Sequence, residues 1–198
     1  FASIIWKIFF LPILAKKEKA NLVLNLSGWP CFFKPYVTIN HNLLPFSNSE
    51  IKRFFGRKSF IRFLLLRYLY TFSFRNANGV IFLTEYAKEK VENITGKLNC
   101  KTAIIPHGIN SRFRKKPSIK DRRFKLKDKT INIIYVSFIE IYKHQWHVVE
   151  AIHKLRIEGF EIKLHLVGKS FKFASKKLDA KLKILDPSRS WVILYGQV

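Results

Sequence analysis

Residues 131–168 read INIIYVSFIEIYKHQWHVVEAIHKLRIEGFEIKLHLVG, and this stretch decides the fold. It opens on a continuous apolar run, Ile131 to Ser137, passes through helical spacing from His144 to about Glu158, and returns to a second apolar run, Ile162 to Val167. Runs without polar alternation are typical of parallel strands buried on both faces, and an intervening helix is the crossover that parallel strands require. Downstream, helical spacing over Phe173 to Lys183 and a strand at Trp191 to Leu194 extend the series to βαβαβ. This predicts a parallel sheet with helices on both faces, cut short just past its third strand at Val198.

Working back from this stretch, Arg112 to Asp128 is dense in Lys and Arg without apolar periodicity, which marks a linker. Before it stand a strand at Gly79 to Leu83, a helix from Glu85 to about Asn93, a strand at Thr102 to Ile105 and the turn Pro106-His107-Gly108-Ile109-Asn110, a further βαβ unit. Earlier apolar runs at Leu22 to Leu26 and Tyr36 to Asn40 read as buried strands, and Phe1 to about Ala20 as an amphipathic helix interrupted by Pro12. The expected organisation is a domain over 1–111, a basic linker over 112–129 and a second, incomplete domain over 130–198. Because the sequence begins at Phe1 and contains no Met, it also reads as truncated at its front.

The 37 Lys and Arg against 13 Asp and Glu leave a formal charge of +24, which implies an anionic partner without choosing among nucleic acid, membrane and phosphorylated substrate. Apolar residues make up 48% of the chain, enough for a core and against disorder. Cys31 and Cys100 lack metal-ligand spacing, and no nucleophile elbow, dinucleotide fingerprint or P-loop occurs. His144, His147 and His153 do not form a metal set, since on a helix His153 lies about 180° from His144. No metal is expected.

Parallel sheets bind ligands outside the carboxyl ends of their strands, so the residues following each strand are the candidates. These are Asn40-His41-Asn42, His107-Gly108, Glu140 to Lys143 and Gly168-Lys169-Ser170. Lys143 would stand at the start of the helix beginning at His144, where free backbone N–H groups and the helix dipole already favour an anion such as a diphosphate. A fixed ammonium there stabilises negative charge on a leaving diphosphate without a metal. His41 offers imidazole chemistry near neutral pH.

Ile133-Ile134-Tyr135-Val136-Ser137, Tyr142-Lys143-His144-Gln145, Val149-Glu150-Ala151-Ile152 and Leu164-His165-Leu166-Val167-Gly168 together resemble glycosyltransferase family 4 in order and spacing. Val80-Ile81-Phe82-Leu83-Thr84 and Ile104-Ile105-Pro106-His107-Gly108-Ile109-Asn110 resemble that family's approach to its interdomain linker. The resemblance implies a GT-B fold of two Rossmann-like α/β domains with parallel sheets, the first binding acceptor and the second a nucleotide-sugar. It implies a retaining, metal-independent glycosyltransferase with no cofactor beyond the nucleotide-sugar co-substrate, acting on a saccharide or lipid-linked acceptor in envelope polysaccharide synthesis. By position, Lys143 matches the basic residue on the donor diphosphate, His41 the histidine lining the reaction centre and Gly108 the turn glycine at the cleft. Gly168, Gly196 and Val198 match backbone around the nucleotide. Two departures stand out: Ser137-Phe138 replaces the family's Gly-Arg, and the paired glutamates holding sugar and ribose would lie past Val198, so the chain as given is expected to be inactive.

Ser47-Asn48-Ser49 supplies cap chemistry for a long helix from about Glu50 to Phe74, apolar nearly all round, on which Arg53, Arg57, Arg67 and Arg75 share an arc of roughly 80°. Arg62, on the opposite side, would add roughly 2.5 kcal/mol to full insertion, so the helix is not expected to span a bilayer. Arg53, Phe54, Arg57 and Phe60, with Lys52, Phe55, Lys58 and Phe63, would instead dock on an anionic membrane surface, the cytoplasmic face of the plasma membrane by the resemblance. The competing readings are a non-catalytic membrane scaffold and a basic nucleic-acid-binding protein. The latter is disfavoured because the charge is spread over both halves and no nucleic-acid-binding module is recognisable.

Overall fold

The computed structural model describes residues 6–114 and 130–198, so most of the expected linker lies outside the described residues. The chain divides into two compact units, Phe1–Arg114 and Lys115–Val198.

In the first unit a π-helical turn, Trp6–Phe10, leads into α1 (Leu11–Lys17), with Pro12 in its first turn. There follow β1 (Val23–Asn25), β2 (Tyr36–Asn40), a 3-10 turn at Leu44–Phe46, α2 (Asn48–Lys52), α3 (Lys58–Asn76), β3 (Gly79–Phe82), α4 (Glu85–Thr95) and β4 (Lys101–Ile104). The four strands are parallel in the order β1-β2-β3-β4. One face of this sheet carries Val23, Tyr36, Val80 and Phe82, all buried in the same core as Tyr70 and Phe74 of α3 and Ala87 and Val91 of α4. Thr84 caps α4, its hydroxyl accepting from the Ala87 N–H at 3.1 Å.

The expected long helix from Glu50 to Phe74 is instead two helices. Gly56 sits at φ +76°, in the left-handed region that favours glycine, and Arg57 is extended, so the helix breaks between Lys52 and Lys58. Ser47 occupies the N-cap of α2 but makes no side-chain capping bond. The break turns Phe54 inward, 5% exposed and edge-on to Phe63 at 4.9 Å, while half-buried Phe60 packs against Phe55 at 5.4 Å. Arg53, Phe54, Arg57 and Phe60 therefore do not form one outward face, because Phe54 belongs to the interior. The four arginines do not share a stripe either. Arg67 reaches back to the Pro45 carbonyl and to Asn48 Oδ1, the latter at 2.7 Å, and Arg75 bonds the Thr95 carbonyl. What α3 turns outward is Ile61, Leu64, Leu65, Tyr68 and Phe72, which share an arc of about 100°.

The second unit runs β5 (Ile131–Val136), a 3-10 turn at Ile141–Lys143, α5 (Gln145–Ile157), β6 (Ile162–Val167), α6 (Lys172–Leu185) and β7 (Val192–Gly196), with parallel strands ordered β5-β6-β7. Trp146, Val149 and Ile152 of α5 and Ala174, Leu178 and Leu182 of α6 are buried, as are Leu164, Leu166 and Val192 of the sheet. The expectation of helices on both faces fails for the described residues: α5 and α6 cover one face, and on the other Ile134 and Val136 are 66% and 69% exposed. Apolar runs report that strands tolerate burial, and β5 is apolar on the uncovered side as well. His165 fastens this open face, hydrogen-bonded to the Tyr195 hydroxyl through Nδ1 at 2.8 Å and to Asn132 Oδ1 through Nε2 at 3.0 Å. Among the described residues no helix is long and apolar enough to cross a membrane.

Candidate functional site

At the carboxyl ends of β5, β6 and β7 the backbone is knitted tightly. The Ser137 N–H donates to the Val167 carbonyl at 2.9 Å, and the Gly168 N–H to the Gly196 carbonyl at 2.7 Å. Gly168 has φ +142°, and a Cβ there would lie 2.3 Å from the Ser137 carbonyl oxygen, so only glycine allows this crossing. Beyond it the Ile139 N–H donates to the Lys169 carbonyl at 3.0 Å and the Phe171 N–H to the Ile139 carbonyl at 3.1 Å, carrying the two strand-end loops side by side.

Over this floor opens a cavity of about 630 Å³, lined by Val136, Ser137, Phe138, Tyr142, Lys143, Val167, Gly168, Lys169, Gln197 and Val198. The loop carrying Lys143 is fixed from beneath: the Tyr135 hydroxyl donates to the Lys143 carbonyl at 2.9 Å, and the buried Gln145 amide to the Phe138 carbonyl at 2.8 Å. His144, the N-cap of α5, is left-handed at φ +56°, so Lys143 ends the preceding turn instead of starting the helix. The Lys143 ammonium lies 5.3 Å from the centre of the Tyr142 ring. Burial, with Glu140 nearby, pushes the Tyr142 hydroxyl above its ordinary range. Glu140 turns its carboxylate to the Ile141 N–H at 2.8 Å, and neither Lys143 nor Lys169 has a carboxylate partner among the described residues. Two ammonium groups thus share one concave space, neither paired with a side-chain carboxylate among the described residues, an arrangement that favours a polyanion.

The structure brings Lys143, Gly168 and Val198 to this cavity, and joins Gly196 to it through the Gly168 bond. Sequence reasoning named Lys169 within the Gly168-Lys169-Ser170 stretch that follows β6 but gave it no role of its own. In the first unit His41 follows β2, and its ring stacks on that of His107 at 5.3 Å between centroids and 8° between planes. Gly108 is next to His107, outside the left-handed region and with open space around it, so the chain's own path does not require glycine there.

Beside His41 a second cavity, of about 160 Å³, is lined by Leu26, Ser27, Gly28, Ile39, Asn40, His41, Asn42, Tyr70 and Phe74. Asn25 and Asn40 end neighbouring strands, yet they differ completely. Asn25 accepts from the Ser27 N–H and hydroxyl at 3.1 and 2.7 Å and donates to the Trp29 carbonyl. Asn40, only 3% exposed, leaves both its Oδ1 and Nδ2 without a protein partner. Among the described residues no group of three or more His, Cys, Asp or Glu could hold a metal ion.

No protein-family model and no curated protein sequence matches this chain. Solved structures do. Sucrose-phosphate synthase from Thermosynechococcus elongatus superposes with a TM-score of 0.65 at 19% identity over 95% of this chain and 48% of that one. HepE from Anabaena in complex with UDP-glucose gives 0.58 at 16%, over 83% and 42%. A glycosyltransferase from Rickettsia africae gives 0.58 at 13%, over 98% and 51%. The chain spans about half the length of these structures, and what it shares with them is the GT-B fold, α/β with parallel sheets.

Proposed function

We propose that this protein serves glycosyl transfer, with the second unit on the side of a nucleotide-sugar donor and the first on the side of a saccharide or lipid-linked acceptor. The observation that carries this reading is the pair of ammonium groups, Lys143 and Lys169, without a side-chain carboxylate partner among the described residues, over the Gly168 crossing at the ends of β5, β6 and β7. Cleavage of a sugar-to-diphosphate bond leaves negative charge on the departing oxygen, and two fixed cations stabilise it without a metal. Ser137-Phe138 stands where family 4 enzymes commonly have Gly-Arg, and Lys169 supplies a second cation by another route. The chain's backbone at Gly168, Gly196 and Val198 would lie around the nucleotide. His41 would hydrogen-bond the reacting sugar, with Gly108 in the loop beside it. Retention of anomeric configuration, a hexosyl donor and a role in envelope polysaccharide are carried over from the family resemblance.

Because HepE is solved with UDP-glucose, uridine diphosphate is the first nucleotide to try. In differential scanning fluorimetry of the whole chain, UDP is expected to raise the melting temperature more than uridine does, and Lys143→Ala and Lys169→Ala each to reduce that shift. Absence of a shift with any nucleoside diphosphate, from a folded chain, would end the donor reading.

The first unit is proposed to attach to an anionic membrane face through Ile61, Leu64, Leu65, Tyr68 and Phe72, with Lys58 and Arg62 beside them. This outward arc of α3 supports the reading in place of Arg53, Phe54, Arg57 and Phe60.

A further inference from the structure

The fold uses only one side of the amphipathic segment that opens the first unit. On α1, Leu11, Pro12 and Ala15 fall within an arc of about 100°, and this is the side turned to the core. Pro12 and Ala15 are buried, and Leu11 packs against the same cluster as Tyr36, Tyr70 and Phe74. Ile13, Leu14 and Lys17 share the opposite side of the helix. With Trp6, Phe9 and Phe10 of the preceding π-helical turn, Ile13 and Leu14 are 43% to 65% exposed. Single exposed apolar residues are ordinary, but five large ones between Trp6 and Leu14 form a patch that the core does not require.

The charges beside the patch narrow what it meets. The helix ends on Lys16 and Lys17, and Lys19 follows at φ +51°, where the chain turns back and the Ala20 N–H closes onto the Ala15 carbonyl at 2.9 Å. Cations in a last turn complement the helix dipole, which accounts for the lysines but not for the aromatic residues ahead of them. None of the three lysines is paired with a side-chain carboxylate among the described residues. A protein partner would need an apolar hollow with carboxylates in register beside it. An anionic lipid surface presents both chemistries at once and without register, acyl chains to the rings and headgroup phosphates to the ammonium groups. Trp6 to Lys17 is too short to cross a bilayer, so it would lie in the plane of the interface, where a tryptophan is favoured.

We propose that Trp6 to Lys17 is an interfacial anchor, inserting Trp6, Phe9, Phe10, Ile13 and Leu14 into an anionic lipid surface to which Lys16, Lys17 and Lys19 are drawn. The assignment rests on the reading of the first unit as membrane-attached, and adds an inserting element to the outward arc of α3.

Trp6 supplies the readout, because Trp146 and Trp191 are buried and Trp29 is half-buried. The whole chain is mixed with vesicles of phosphatidylcholine and phosphatidylglycerol, with and without bromine on the acyl chains. Tryptophan emission is expected to shift to the blue and to be quenched by bromine. Trp6→Phe should remove both effects while sedimentation with the vesicles is retained. Ile13→Asp should weaken sedimentation about tenfold at an unchanged melting temperature, and Lys16→Gln combined with Lys17→Gln should weaken it by a similar factor. Quenching that persists in Trp6→Phe, no quenching of the folded chain, or binding indifferent to Ile13→Asp would each overturn the proposal. A lower melting temperature in Ile13→Asp would place that face within the fold and equally overturn it. Vesicle binding without quenching, lost in Leu65→Asp, leaves the α3 arc as the attachment and this anchor wrong. Quenching and sedimentation unchanged by Leu65→Asp remove the α3 arc and leave this anchor standing.

Discussion

Gly168 is the residue on which the second unit's cavity depends. With φ +142° and the Ser137 carbonyl 2.3 Å from any added Cβ, Gly168→Ala forces the ends of β5 and β6 apart. The expected cost is about 3 kcal/mol, read as a lower urea midpoint together with faster hydrogen exchange at the Gly168 amide, which now donates to Gly196. Gly108→Ala is the matching control: open space around it predicts a change within about 0.5 kcal/mol. Lysines belong to the same scale. Lys143 was legible from its place after a strand and before a helix, whereas Lys169 gained significance only when both side chains proved to line one cavity.

At the scale of elements, two carboxylates tie the second unit together. Asp186 follows α6 and accepts from the Ser190, Trp191 and Val192 N–H groups and the Ser190 hydroxyl, so it sets where β7 begins. Burial alone would raise its pKa, but the N–H groups of Val192, Ser190 and Trp191 outweigh it and hold the carboxyl below its ordinary range. Glu150 on α5, bonded by Lys181 of α6 and by His147, is lowered to about 2. Both folded-state values are depressed, so the contribution is complete above the unfolded values and lost as pH falls through the folded ones. The melting temperature of the second unit should therefore decline from about pH 4.5 towards pH 2, and Asp186→Asn should flatten that decline. In the first unit, Arg67 ties α3 to the Pro45 carbonyl and Asn48. Arg67→Ala is expected to cost about 2 kcal/mol in chemical denaturation, whereas exposed Arg62→Ala should cost little.

For the whole molecule, a formal charge of +24 requires any anionic partner to be bound in a salt-dependent way. Sedimentation with vesicles is expected to show binding to anionic but not neutral lipid, weakening as salt rises. Leu65→Asp, on the outward arc of α3, should reduce it about tenfold. Tighter binding to single-stranded oligonucleotide than to anionic vesicles, unchanged by Leu65→Asp, would favour the nucleic-acid reading instead.

The order and type of nearly every element followed from sequence, because strand runs, helical spacing and turn residues act over a few neighbours. Tyr36–Asn40 and Ile162–Val167 fall where their apolar runs begin and end. Strand-end positions for His41, Lys143 and Gly168 followed from the same local pattern. The tertiary structure decided what local pattern cannot express. A helix apolar on every side carries no direction, so only packing could turn Phe54 inward and Tyr68 outward, and only the Gly56 turn could break the helix between them. Asn25 and Asn40 are the same residue at the ends of adjacent strands. One is satisfied by its own loop and the other has no protein partner for its amide, because hydrogen-bond satisfaction depends on which groups the fold brings within reach.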